Sequence, residues 1–359
     1  MIIVHVAEYA SGGVATYLRN LINMQLQDER VDEVYLINSK YRSEDFDFHS
    51  EKFNQYTYEY KRSVSGLLKL FKLRRYIDSI KPDVVHFHSS FAGIIRLSYL
   101  FKKANYKVVY CAHGWSFLQK DKSKMQTAIY STIEKLAAIK TDIIVNISKN
   151  ESEEAISRGL PKQKMKLIYN SISKEHRNID VGTPFNSGYK KLLFIGRFDK
   201  QKGLDFLLNS FDFDESDIEL VIIGKPVISE DGNKYTDTKN VKYIGWVDNK
   251  NIGSYISHCD ALIIPSLWEG FGLVALEAMK EHKMVISSNT GGLNEIITEN
   301  VNGLKFITGS KESLIQKLNK FENMSNKEIV TMGSKGYEIF NKRYNIDDLY
   351  EQLMSLYFD

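Results

Sequence analysis

Short apolar runs recur along this chain, each closed by a turn signal and followed by a stretch with helical spacing. Runs at 2–6, 34–38, 82–89, 108–114, 142–148 and 165–169 read as strands, with helical segments at 14–24, 61–80, 125–139 and 149–158. Residues 173–190 carry charge, glycine and proline without periodicity and read as a linker. The pattern restarts at 191–197 and continues through strands at 218–223, 241–244, 261–264 and 284–287. The expected fold class is α/β, with two successive βα halves, each about one Rossmann-like domain. Expected boundaries are 1–175, 176–340 and a C-terminal segment, 341–359, whose helix bears Tyr350, Tyr357 and Phe358 and crosses back to the first domain. Residues 39–60 look like an irregular, exposed insertion. Asp45-Phe46-Asp47 within it has the DxD form of metal-dependent sugar transfer, but no buried strand flanks it, so it reads as a surface loop.

Composition narrows the class. The chain is 43% hydrophobic and 26% charged with 5 prolines, as in globular domains. It has no run of about 18 apolar residues that would span a bilayer. Residues 1–6 form a strand without a basic leader, so no signal peptide is expected. Cys111 and Cys259 sit in or beside apolar runs, which points to buried thiols in a reducing compartment. The expected location is the cytoplasm, peripheral on the inner face of the plasma membrane. The membrane part comes from charge: between residues 61 and 107 eleven basic residues face only Asp78 and Asp83. The helix at 61–80 repeats Leu67, Leu70, Phe71, Arg74 and Ile77 at helical spacing. It reads either as a covering helix with a solvated basic face or as a patch for anionic lipid.

Candidate chemistry lies at the ends of the predicted strands. Ser11-Gly12-Gly13 links a strand to a helix, a place where backbone can approach a phosphate or sugar. His86 and His88 share one strand face, but no carboxylate or cysteine partner is evident, so no metal site is assigned. His113 ends another strand. In the second half, Gly196-Arg197-Phe198 and Lys202-Gly203 offer a guanidinium and an ammonium for a diphosphate. The stretch 265–279 is richer. Glu269, Gly270, Phe271 and Gly272 lead into an apolar helix from Leu273 and Val274 that carries Glu277. Its glycines and helix start suit phosphates, and its carboxylates suit hydroxyls.

Glu269-(x7)-Glu277, Gly196-Arg197-Phe198 with Lys202-Gly203, and the Gly12-Gly13 loop together resemble glycosyltransferase family 4 over the whole chain, and most closely its bacterial capsule, O-antigen and exopolysaccharide members. The resemblance implies a GT-B architecture, two Rossmann-like domains facing each other across a cleft, with an acceptor-binding first domain and a nucleotide-sugar-binding second. It implies a retaining transfer from a nucleotide-diphosphate sugar, with uridine as the commonest base, by same-face attack without a metal or other cofactor. Arg197 and Lys202 are implied to bind the diphosphate, Glu277 the ribose, Glu269 and His113 the donor sugar. Gly13 and the amides around Gly270, Phe271, Gly272, Leu273 and Val274 are implied to face the phosphates. Gly291, Gly292 and Glu295 match weakly and stay outside the assigned site. Other readings are a nucleotide-sugar epimerase or sugar phosphorylase of the same fold, or a nucleic-acid-binding module. The last lacks any recognised motif.

Overall fold

Continuous apolar strands need cover on both faces, and parallel sheets flanked by helices supply it. The computed structural model describes residues 1–59, 64–175, 181–226 and 235–358, except for the side chains of 64–69. The chain divides into two units, Met1–Ile172 with Ile346–Asp359, and Ser173–Asn345. Every strand pairing among the described residues is parallel.

The first unit runs β1 (Ile2–Ala7), α1 (Gly13–Gln27), β2 (Glu33–Ser39), β3 (Phe53–Tyr58), α2 (Val64–Ile80), β4 (Val84–His88) and α3 (Ser90–Gly93). It continues with β5 (Lys107–Cys111), α4 (Lys124–Ala138), β6 (Ile143–Asn146), α5 (Lys149–Ser157) and β7 (Met165–Leu167). Its seven strands lie in the order β3-β2-β1-β4-β5-β6-β7. Val4, Val6, Val85, Phe87, Val108, Tyr110 and Ile144 fill the core beside Leu70, Leu73 and Ile77 of α2. A capping box of Ser123 and Gln126 starts α4, and Ser148 caps α5.

The second unit runs β8 (Lys190–Ile195), α6 (Leu204–Ser210), β9 (Ile218–Ile223), β10 (Val241–Gly245), α7 (Asn249–Ser257), β11 (Ala261–Ile264) and α8 (Leu273–Lys280). β12 (Met284–Ser288), α9 (Leu293–Ile296), β13 (Gly303–Phe306), α10 (Lys311–Glu322) and α11 (Asn326–Arg343) follow. Its six strands lie in the order β10-β9-β8-β11-β12-β13. The chain then returns to the first unit as α12 (Ile346–Phe358). There Tyr357 OH meets His86 Nδ1 at 2.6 Å, and Tyr350 donates to Asp28 at 2.7 Å. Lys107 caps the helix end by donating to the carbonyls of Leu356 and Tyr357 at 3.0 and 3.2 Å.

Two sequence readings change. Residues 39–60 are not all irregular: 53–58 form β3, an edge strand of the first sheet. Its face is largely solvated, so Phe-Asn-Gln-Tyr-Thr-Tyr lacks the apolar run of a buried strand. β13, unpredicted, is a mostly buried edge strand of only four residues, Gly-Leu-Lys-Phe, too short and too interrupted by Lys305 to print an apolar run. The described apolar positions of α2 at 70, 73 and 77 point into the core, and Arg74 donates to the carbonyls of Ser98 and Lys102 at 2.5 and 2.6 Å. Residues 60–63, the side chains of 64–69 and linker residues 176–180 lie outside the described structure. Asp45 and Asp47 are exposed between β2 and β3.

One buried ion pair ties α4 to the sheet. Arg96 donates to Glu134 Oε2 at 2.5 Å, to Thr141 at 3.1 Å and to the Gly93 carbonyl at 2.9 Å. Its guanidinium lies 3.3 Å from the ring centre of Tyr110, whose hydroxyl donates to Glu134 Oε1 at 2.8 Å. Arg96→Met alone should lower stability by about 3–5 kcal/mol in urea unfolding, because it leaves a buried carboxylate unpaired. The double change Arg96→Met with Glu134→Leu should recover most of that loss.

Candidate functional site

Strand order reverses between β1 and β4 in the first sheet and between β8 and β11 in the second. In open α/β sheets such points leave a crevice at the carboxyl ends of the strands. The sequence-predicted residues fall there. Gly13 follows β1 and His113 follows β5. Arg197 and Lys202 follow β8, and 269–277 follow β11.

In the first unit His113 lines a pocket of about 370 Å³ with Glu8, Val14, Ser89, Ser116 and Lys122 among its walls. Ser89 and His113 hold left-handed backbone, at φ 72° and 51°. Strain of that kind clusters at functional sites. Gly13 begins α1, but the amide of Gly12 before it already donates to Glu44 Oε1 at 2.7 Å. The protein's own carboxylate therefore holds the helix start assigned to a phosphate.

Behind His113 runs a row of imidazoles. His5 Nε2 lies 2.8 Å from Gln25 Oε1, His5 Nδ1 3.0 Å from His88 Nε2, and His88 Nδ1 2.9 Å from His113 Nε2. Burial lowers the pKa of His5 to about 4 and of His113 to about 3, and holds His86 and His88 well below the usual value. With Gln25 Oε1 facing His5 Nε2, a neutral row has one proton order. His5 donates to Gln25, His88 to His5, and His113 to His88. His113 Nδ1 is then a bare acceptor, and it has no hydrogen-bond partner. Among the described residues, His5, His86 and His88 also place three potential metal-ligand atoms within 4.8 Å of one another. The third imidazole, from β1, could not be seen in the His86–His88 spacing. Hydrogen bonds already engage both ring nitrogens of His5 and of His88, and His86 Nδ1 meets Tyr357, so only His86 Nε2 lacks a partner in the group.

In the second unit the predicted residues converge. Lys202 Nζ lies 2.6 Å from Glu269 Oε2, which also accepts from Ser266 at 3.3 Å. Gly203, at φ 70°, makes this possible: a Cβ there would lie 2.1 Å from the Pro265 carbonyl oxygen. Arg197 is more exposed. It pairs with Asp199 at 3.0 Å and reaches Gln201 at 3.3 Å, and Gln201 in turn donates to the Trp268 carbonyl at 3.2 Å. Gly272, at φ 100°, caps α8 without a side-chain hydrogen bond, and no acidic residue stands in the first turn. The helix start at Leu273 and Val274 is thus open to an anion. Glu277 is recessed within α8. Burial raises its pKa to about 7, against the pull of Lys280 and Lys202.

Sequence reasoning left out several residues of these walls. Gly291 and Gly292 press on the assigned segment: a Cβ on the first would meet the Glu269 carbonyl at 1.8 Å, and on the second the Phe271 Cα at 2.6 Å. Their weak motif match concealed a backbone contact. Glu295 instead lines a separate pocket with Ile339, Lys342 and Arg343. Glu8, buried in the first pocket, and Gln25 had no motif to mark them.

Two family descriptions divide the chain. "Glycosyltransferase Family 4" matches residues 11–176, and "Glycosyl transferases group 1" matches 175–339. A Klebsiella pneumoniae protein described as an uncharacterized 41.2 kDa protein in cps region is 35% identical, over 85% of this chain and 85% of its own. The Escherichia coli UDP-Gal:alpha-D-GlcNAc-diphosphoundecaprenol alpha-1,3-galactosyltransferase is 26% identical, over 80% of this chain and 79% of its own. The solved structure of Anabaena Alr3699/HepE in complex with UDP-glucose shares the fold at a TM-score of 0.75 and 16% identity, covering 99% of each chain. With both halves matched and two parallel sheets of the GT-B type, the chain belongs to the family 4 glycosyltransferases.

Proposed function

We propose that this glycosyltransferase is a retaining enzyme that moves a sugar from a UDP-sugar to a saccharide or lipid-linked saccharide in surface polysaccharide synthesis. The observation that carries the reading is the cluster of Lys202, Glu269 and Glu277 beside an uncapped helix start. One end of that cluster suits a diphosphate and the other suits hydroxyls. The UDP of the HepE complex and the UDP-Gal and diphosphoundecaprenol of the Escherichia coli relative support the donor and acceptor classes. The cps-region relative supports a role in capsule synthesis. The exposed Lys72, Arg75, Lys81, Lys102 and Lys103 support work at the inner membrane face from the cytoplasm.

In this reading residues 1–175 take the acceptor and 176–340 the donor. Breaking the sugar–phosphate bond leaves negative charge on the diphosphate, and Arg197, Lys202 and the amides of Gly272, Leu273 and Val274 stabilise it where it develops. The backbone at Gly270 and Phe271 approaches the same phosphates, whereas Glu44 already holds the helix start at Gly13. Glu277 accepts from the ribose hydroxyls. Glu269 and His113 hold the donor sugar. The acceptor attacks the same face that the diphosphate leaves, and the diphosphate takes the acceptor's proton. No resident metal or cofactor is needed for charge stabilisation of this kind.

A thermal-shift panel of nucleoside diphosphates and their sugars tests the donor. UDP should raise the melting temperature, since a ligand at 100 times its Kd adds about 2.7 kcal/mol. A panel in which no nucleotide shifts the transition would refute the donor assignment. Lys202→Ala and Arg197→Ala should each lower kcat/KM on the order of 10²–10³-fold in a transfer assay. Trapping a glycosyl adduct on Glu269 would overturn same-face attack.

Glu277 sets a pH dependence. Its folded pKa of about 7 lies above the ordinary 4.5, so the folded chain holds this proton more tightly than the unfolded chain does. Between those values its contribution to stability falls as pH rises, and the full penalty is present above about 7. Ribose hydroxyls favour the ionised form, so UDP affinity by calorimetry should climb with pH up to about 7 and then level. Glu277→Gln should flatten that rise.

A further inference from the structure

The outer face of α4 is apolar and uncovered. Met125, Ile129 and Leu136 of this helix and its cap Ile139 are 72%, 48%, 45% and 54% exposed. Steps of four and three residues alternate from Met125 through Ile129, Thr132 and Leu136 to Ile139, so at 3.6 residues per turn the five share one face. Ile139 keeps helical backbone and extends the line. The stripe cannot roll inward. Ser131, Glu134, Ala137 and Ala138 already face the core, and the Arg96–Glu134 pair fixes them there.

The rim of the stripe is cationic. Lys124, Lys135 and Lys140 are exposed beside it. Glu134, the only acidic residue of α4, is buried. The acidic residues that flank the helix are engaged: Asp121 pairs with Lys122 at 2.9 Å, and Asp142 accepts from the Val108 amide at 2.8 Å. An apolar stripe edged by lysines is the pattern of a helix that lies in a membrane interface, with long cationic side chains reaching the headgroups. A second copy would set the same lysines against these. Charge complementarity selects an anionic surface.

We infer that the outer face of α4 docks this enzyme on an anionic lipid bilayer, with Met125, Ile129, Leu136 and Ile139 entering the interface and Lys124, Lys135 and Lys140 at headgroup level. This deepens the membrane part of the proposed function and rests on it. α2 lies in the more basic stretch, but among its described side chains Leu70, Leu73 and Ile77 are in the core and Phe71, at 37%, is the one large apolar residue exposed.

Flotation of the whole enzyme with phosphatidylcholine vesicles, and with vesicles that also contain phosphatidylglycerol, tests the inference. The wild type should float with the anionic vesicles only, and less at raised salt. Ile129→Ser with Leu136→Ser should lower partition about tenfold or more, through lost apolar burial. Lys124→Gln and Lys135→Gln should each lower it roughly fivefold. All four positions are exposed, so each variant should keep the wild-type melting temperature. Ile129→Trp should shift its fluorescence to the blue on anionic vesicles alone. A wild type that stays down with anionic vesicles overturns the inference, and so does a serine double variant that floats like wild type. A concentration-dependent dimer that the serine variant abolishes would give the face to a second copy and overturn it too. Flotation needs neither donor nor acceptor. Its failure leaves the transferase reading standing, and failure of the donor panel leaves the flotation result standing.

Discussion

Burial of parallel strands on both faces is the constraint on which the rest of this enzyme depends. A strand such as β4, with every residue buried, can present chemistry only where it ends. The polar side chains therefore gather at the carboxyl edges, and they do so most densely beside the strands where the sheet order reverses. Gly13 and Ser89 in one unit, and Arg197, Lys202 and Glu269 in the other, follow the two strands that flank the reversal of their sheets, and His113 follows the next strand along. Sheet topology alone brings residues distant in sequence, such as Lys202 and Glu269, within 2.6 Å.

Charge in the second unit is arranged before any ligand arrives. Lys202, largely buried, is held by Glu269, and Arg197, still half exposed, by Asp199. An incoming diphosphate competes with carboxylates for both. Glu277 differs, because burial keeps its proton within reach of neutral pH. The first unit sets a neutral imidazole row behind His113, beside the Glu8 and Lys122 of its pocket.

Much of this was legible in the sequence, for a physical reason. Buried strands print continuous apolar runs, and left-handed turns print glycines, so β1, β4, β8, β11, Gly203 and Gly272 could be placed. The solvated edge strand β3 and the four-residue β13 print no continuous apolar run, and both escaped. His5 joined His86 and His88 only through strand pairing, which no spacing reveals. Gly291 and Gly292 matter through contact with backbone at 269–271, invisible in one dimension. Charge counting found the basic stretch around α2 but could not say which helix faces water. That choice rests on packing: α2 spends its apolar positions at 70, 73 and 77 on the core, while α4 leaves a row of its own outside.

The return of α12 to the first unit has a consequence for how the chain is made. Ser173–Asn345 is in effect an insertion between two parts of one body. A nascent chain emerging from the ribosome can form the seven-stranded sheet, but His86 and Lys107 wait for partners encoded 271 and 249 residues downstream. The second unit emerges and can fold in that interval. The first unit is thus begun first and finished last, and a stalled or prematurely released chain leaves its sheet with an uncovered flank where Tyr357 should pack.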